Sequence, residues 1–77
     1  MRDRLLTVMG GVFGVPAGDL PPDPAIESVE QWDSLSHLEL MLEIEMEFGV
    51  RISSEAMPTL ISLDAIEGLL HEQGIAA

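Results

Sequence analysis

The sequence predicts an all-α domain, a bundle of four helices with a long loop between the first and second and a short third helix. Three observations carry that expectation. Apolar residues recur at three- and four-residue spacings in separate segments, and no stretch sustains the alternation of a half-buried strand. Prolines crowd one interval, at Pro16, Pro21, Pro22 and Pro24. At 77 residues the chain is expected to form one domain, residues 1–77, and its 47% apolar content suffices for one compact core.

The first helix is expected over about residues 2–14, where Leu5, Val8, Met9, Val12 and Phe13 share one face. Gly10 and Gly11 each cost about 1 kcal/mol relative to alanine in a helix interior, so this helix must rely on packing or on a close backbone approach there. Gly14 is a suitable stop. Residues 15–33 read as a loop, because the prolines deny it a regular ladder; Leu20, Ile26, Val29 and Trp32 are the side chains available to anchor it.

A second helix is expected over about residues 34–48, with Asp33 as its N-cap and Gly49 ending it. Met41, Ile44 and Phe48, flanked by Leu38 and Leu40, form the face for the core. Leu35, Leu42 and Met46 cluster roughly opposite, with Glu39, Glu43 and Glu45 beside or near them. A helix that is apolar on two faces needs a second partner, inside the fold or outside it. The short third helix, about residues 54–59, is interrupted by Pro58. The fourth, about residues 62–73, begins at a Ser62 cap and directs Leu63, Ile66, Leu69 and Leu70 to the core, with Asp64 favourably in its first turn.

Charge narrows the partners. Fourteen Asp and Glu stand against three Arg, giving a formal net charge of -11. Nucleic acid is excluded as a partner, since phosphate recognition needs clustered cations, and an anionic membrane surface is disfavoured for the same reason. Basic protein surfaces remain. With no cysteine, the chain has no disulfide, no Cys-based zinc site and no thiol of its own. Asp19, Asp23, Glu27 and Glu30 lack the ligand spacing and central glycine of an EF-hand, so no metal site is expected. The segment after Met1-Arg2-Asp3-Arg4 is neither a signal core nor long enough to span a bilayer, which leads to the expectation of a cytoplasmic protein without membrane insertion.

The informative constellation is Trp32-Asp33-Ser34-Leu35. A serine at a helix start directly after a long loop is accessible, and a phosphate ester on it would lie beside the free first-turn N–H groups and the positive end of the helix dipole. Leu35 makes sense as a docking contact for whatever modifies or reads that serine. Taken alone, the tripeptide is also compatible with an ordinary helix start in an unmodified adaptor that binds one protein through Leu35, Leu42 and Met46. A metal-binding regulator exploiting the carboxylates is a weaker third class. His37 is expected to pack or to bond the loop rather than to act as a base for Ser34, since no third group orients it. His71 is expected near the end of the last helix, where its charge would be favourable.

The chain resembles the acyl carrier protein family across nearly its whole length. The resemblance rests on the Leu-Leu-x-Val-Met start, Phe13-Gly14-Val15, Asp33-Ser34-Leu35, Glu39-Leu40, Glu45, Glu47-Phe48-Gly49-Val50, Ile52 and Ser62-Leu63. It implies that Ser34 is esterified by 4′-phosphopantetheine from coenzyme A, in a reaction catalysed by a separate phosphopantetheinyl transferase, and that Asp33 belongs to the attachment motif. The arm would supply the missing thiol and hold acyl, aminoacyl or similar cargo as a thioester; the chain itself would have no catalytic residues. The resemblance further implies that Leu35, Glu39, Leu42, Glu43, Glu45 and Met46 meet partner enzymes, namely a loading ligase or synthetase and a downstream acyltransferase or synthase with a basic docking surface. Trp32 before the motif and His37 after it look like the stand-alone carriers outside central fatty-acid synthesis, and Met46 replaces a commonly acidic residue.

Overall fold

A computed structural model of the chain describes residues 2–75. Among these, three α-helices carry the fold: α1 (Arg2–Phe13), α2 (Ser34–Phe48) and α3 (Leu63–Glu72). Short 3-10 turns stand at Ala17–Asp19 and Met57–Thr59. The domain is all-helical, with a lone bridge between Ala25 and Ser62 in place of any strand among the described residues.

The α1 helix buries Leu5, Met9 and Phe13, a four-residue ladder on one face, and stops at Gly14, whose φ of 71° is left-handed. Gly10 answers the question its helix-weakening poses. A Cβ there would lie 2.7 Å from the Val15 carbonyl oxygen and 3.3 Å from the Ala17 nitrogen, so glycine lets the returning loop pass directly over the helix. The Gly10 carbonyl accepts from the N–H groups of Gly14 and Val15, at 2.9 and 3.1 Å, which fixes that return.

The loop from residue 15 to residue 33 is anchored as its apolar content requires. Val29 and Trp32 are 4% and 3% exposed, and Leu20 and Ile26 pack partly buried against the core. Its middle is tied to the start of α3, the Ile26 N–H donating to the Ile61 carbonyl at 2.9 Å and the Leu63 N–H to the Pro24 carbonyl at 2.9 Å. Arg2 adds ionic ties from α1, pairing with Asp23 on the loop and with Asp64 and Glu67 on α3 at 3.0, 3.0 and 2.6 Å. These contacts raise the Arg2 pKa, the Glu67 hydrogen bond most of all.

The core lies where Leu40, Met41 and Ile44 of α2 meet α1 and the α3 residues Leu63, Ile66 and Leu70, all of them buried. The expected core stripe of the last helix is present, with Leu69 only partly buried at its edge. Two expectations need correction. The third helix, expected over about residues 54–59, is a turn followed by the single 3-10 turn Met57–Thr59, so the α-helices among the described residues number three. Pro58 has no N–H to continue a ladder and disfavours helical backbone at Met57, leaving i→i−3 bonds from Thr59 to Ala56 and from Leu60 to Met57. Leu38, expected to flank the core face, is 49% exposed. On the helical wheel it lies about 40° from Leu42 and about 60° from Met41, and the wider apolar stripe takes it.

Candidate functional site

Ser34 is the first residue of α2, and its start is built by its neighbours. Asp33 stands in extended backbone, and its Oδ1 accepts the Ser36 N–H at 2.9 Å while Ser36 Oγ accepts the Asp33 N–H at 2.8 Å, a reciprocal capping box. The Ser36 hydroxyl in turn donates to the Gln31 carbonyl at 2.7 Å, which fastens the cap to the loop before it. The bond from the Ser36 N–H above all holds the Asp33 carboxyl below the ordinary Asp range. Ser34 itself is exposed, and its hydroxyl makes no hydrogen bond among the described residues. One serine thus locks the helix start; the other is left free at the surface.

The loop side of this platform is held by a relay that sequence reading reached only in outline. Trp32 packs its ring 5.3 Å from that of Phe13, so the residue before the motif is clamped to the end of α1. Its Nε1–H donates to His37 Nδ1 at 2.9 Å, and the other ring nitrogen, Nε2, lies 2.8 Å from the Met57 carbonyl oxygen. Because Nδ1 accepts, the proton must sit on Nε2, which donates to Met57. Both nitrogens are engaged, so His37 is not a base for Ser34; it bonds the loop, as expected. This one imidazole joins the loop, the first turn of α2 and the 3-10 turn, and Trp32 carries the connection on to the end of α1.

Along α2 the predicted docking residues mostly share one surface. Leu35, Leu42 and Met46 are 69%, 50% and 77% exposed, and Leu38 extends the stripe. Glu39 and Glu43 are exposed beside it. Glu45 differs: its Oε2 accepts the Ile52 N–H at 2.8 Å, so this half-buried carboxylate satisfies the chain leaving α2. Gly49, with a φ of 65°, ends the helix in the left-handed conformation that glycine adopts without strain. Glu47 points elsewhere, pairing with Arg4 at 2.9 Å, and Arg4 also lies 4.5 Å over the Phe48 ring.

The arrangement offers an exposed nucleophilic hydroxyl on a rigid helix start, flanked by an apolar and acidic face. It offers no activating base, and no group of three or more metal-ligating side chains occurs among the described residues. No helix among them is long and apolar enough to cross a membrane. Such a site can accept a phosphate ester made by another protein. The surroundings fit that group, since the ester would form on an exposed oxygen that makes no hydrogen bond among the described residues, at the positive end of the α2 dipole. Residues 3–70 match the family model described as phosphopantetheine attachment site. No curated protein matches the chain.

Proposed function

The chain belongs to the phosphopantetheine-attachment family, and from that premise we propose that Ser34 bears the arm and that the domain carries a thioester-bound acyl or aminoacyl intermediate between enzymes. Members of this family are carriers rather than catalysts, so the chain is not an enzyme, and its prosthetic group is 4′-phosphopantetheine. When attached, that group supplies the thiol which a chain without cysteine lacks.

The observation that carries the assignment is the exposed Ser34 hydroxyl, free of protein hydrogen bonds at the first position of α2. Ser34 Oγ forms the new bond to phosphorus as the diphosphate P–O bond of coenzyme A breaks and its adenosine bisphosphate half leaves, and the hydroxyl proton passes to the transferase, because no base among the described residues is placed to take it. Asp33 keeps the helix start rigid through its capping box. Leu35, Leu42 and Met46 offer partners an apolar strip, and Glu39 and Glu43 orient basic surfaces toward it. Glu45 supports the same face from beneath through its bond to Ile52. Tethering at Ser34 raises the effective concentration of cargo at each enzyme that docks there, a loading ligase or synthetase first and an acyltransferase or synthase afterwards.

The test is intact-protein mass spectrometry after incubation with coenzyme A and a phosphopantetheinyl transferase. The wild-type protein is expected to gain one phosphopantetheine and Ser34→Ala none. An unshifted wild-type mass with several transferases would overturn the proposal in favour of an unmodified adaptor.

A further inference from the structure

Gly11 is exposed within α1, and a Cβ built on it meets nothing within 4 Å. Its neighbour Gly10 is required by the loop crossing over it; nothing among the described residues requires Gly11, although glycine weakens a helix interior. What the missing side chain does leave is the open floor of a groove of about 600 Å³ between α1 and α2. From α1 come Thr7, Val8 and Val12 together with Gly11; from α2 come Glu39, Leu42 and Glu43. Neither glutamate takes part in an ion pair among the described residues.

We propose that this groove is part of the docking surface and receives an arginine or lysine side chain of the transferase that modifies Ser34. The inference rests on the docking reading of α2 and extends it onto α1. Leu42 belongs to both the exposed stripe and the groove, so the two surfaces are continuous. Glu39 and Glu43 lie about 7.5 and 13.5 Å along the helix from Ser34 at about 1.5 Å per residue. At about 100° per residue Glu39 and Glu43 stand about 60° and 100° round the helix from Leu42, on the same side, so a partner seated on the exposed stripe through a standard interface, about 800 Å² on each side and about 16 Å in radius, extends over its edge to the groove they line. A long basic side chain suits the lining, its aliphatic stem over Val8, Gly11 and Val12 and its charged head between the carboxylates. A second copy of the chain does not suit it, since each copy carries a net charge of -11 and would bring the same acidic rim.

The experiment compares kcat/KM for arm transfer to Ser34, with coenzyme A and a basic phosphopantetheinyl transferase, among wild type, Gly11→Ala, Gly11→Gln and Leu35→Ala. Melting temperature is measured on the same samples. Gly11→Ala is expected to raise the melting temperature by about 4–8 °C through helix propensity while lowering kcat/KM, an opposition of sign that misfolding does not produce. Gly11→Gln fills the floor with a longer side chain and is expected to lower kcat/KM about tenfold, the loss of one well-buried interfacial anchor. If Gly11→Gln loads at the wild-type rate while Leu35→Ala is slow, the groove proposal is overturned and the α2 docking face stands. If neither substitution slows transfer, the docking reading falls with it.

Discussion

Replacing His37 by alanine removes both bonds of the imidazole that joins the loop, α2 and the 3-10 turn. Trp32 is only 3% exposed, so its Nε1–H would lose an acceptor where water has little access. Leaving a buried donor unpaired costs about 1–3 kcal/mol, and losing the bond to the half-buried Met57 carbonyl adds about 0.5–1 kcal/mol. The sum, about 1.5–4 kcal/mol, is a large share of the stability of a domain this small, and corresponds to a fall in melting temperature of at least about 6 °C. Trp32 is the only tryptophan, which makes its fluorescence a direct probe of urea unfolding. His37→Gln, which can accept and donate through one amide, should recover part of the loss. A His37→Ala protein that unfolds within about 0.5 kcal/mol of wild type, the range of ordinary surface substitutions, would refute the claim that this relay holds the platform.

Three further outcomes follow from particular contacts. Gly10→Ala should destabilise by about 1–3 kcal/mol before about 1 kcal/mol of helix propensity is regained, because its Cβ would press on backbone at 2.7 Å; a chemical-denaturation midpoint above wild type would contradict the close approach. Asp33 has its carboxyl pKa lowered in the folded state, so its charged form contributes stability above the ordinary value of 3.8 and that contribution is lost as pH falls through the lower folded value. The advantage of wild type over Asp33→Asn should therefore shrink under acid, and an advantage constant from neutral pH to pH 2 would sink the capping account. Glu39→Lys combined with Glu43→Lys should slow arm transfer about tenfold at low ionic strength and flatten its salt dependence. Unchanged rates at low salt would reduce the acidic face to a solubility device.

Much of this fold was legible because local signals and tertiary demands agree. Asp33 caps, Gly49 stops, Ser62 caps again, and the apolar loop residues had nowhere to go but the core; each was readable from residue type and spacing, and the bounds of α2 agree with those expected. The third element was harder, because Ser53 to Thr59 has helical composition around a proline and only the broken ladder decides between α and 3-10. The two adjacent glycines of α1 look identical in the sequence, yet the path of the loop separates them, and that path is set by distant anchors. At the site, Ser34 and Asp33 stood out by position. The division of labour between Ser34 and Ser36, the local bond of Glu45 to Ile52 and the bridge from Trp32 through His37 to Met57 depend on side-chain directions that spacing does not determine. Leu38 was the one misplaced apolar residue of α2, and the helical wheel already leaned toward the stripe.

The most direct measurement is fragmentation mass spectrometry of the transferase-treated protein, locating the added group along the chain. Two serines within the same turn compete for it on chemical grounds. Ser36 already accepts from the Asp33 N–H and donates to the Gln31 carbonyl, whereas the Ser34 hydroxyl is exposed and without a hydrogen bond among the described residues. The account predicts a single phosphopantetheine on Ser34 and none on Ser36. Modification at Ser36, or at Ser34 and Ser36 alike, would contradict it.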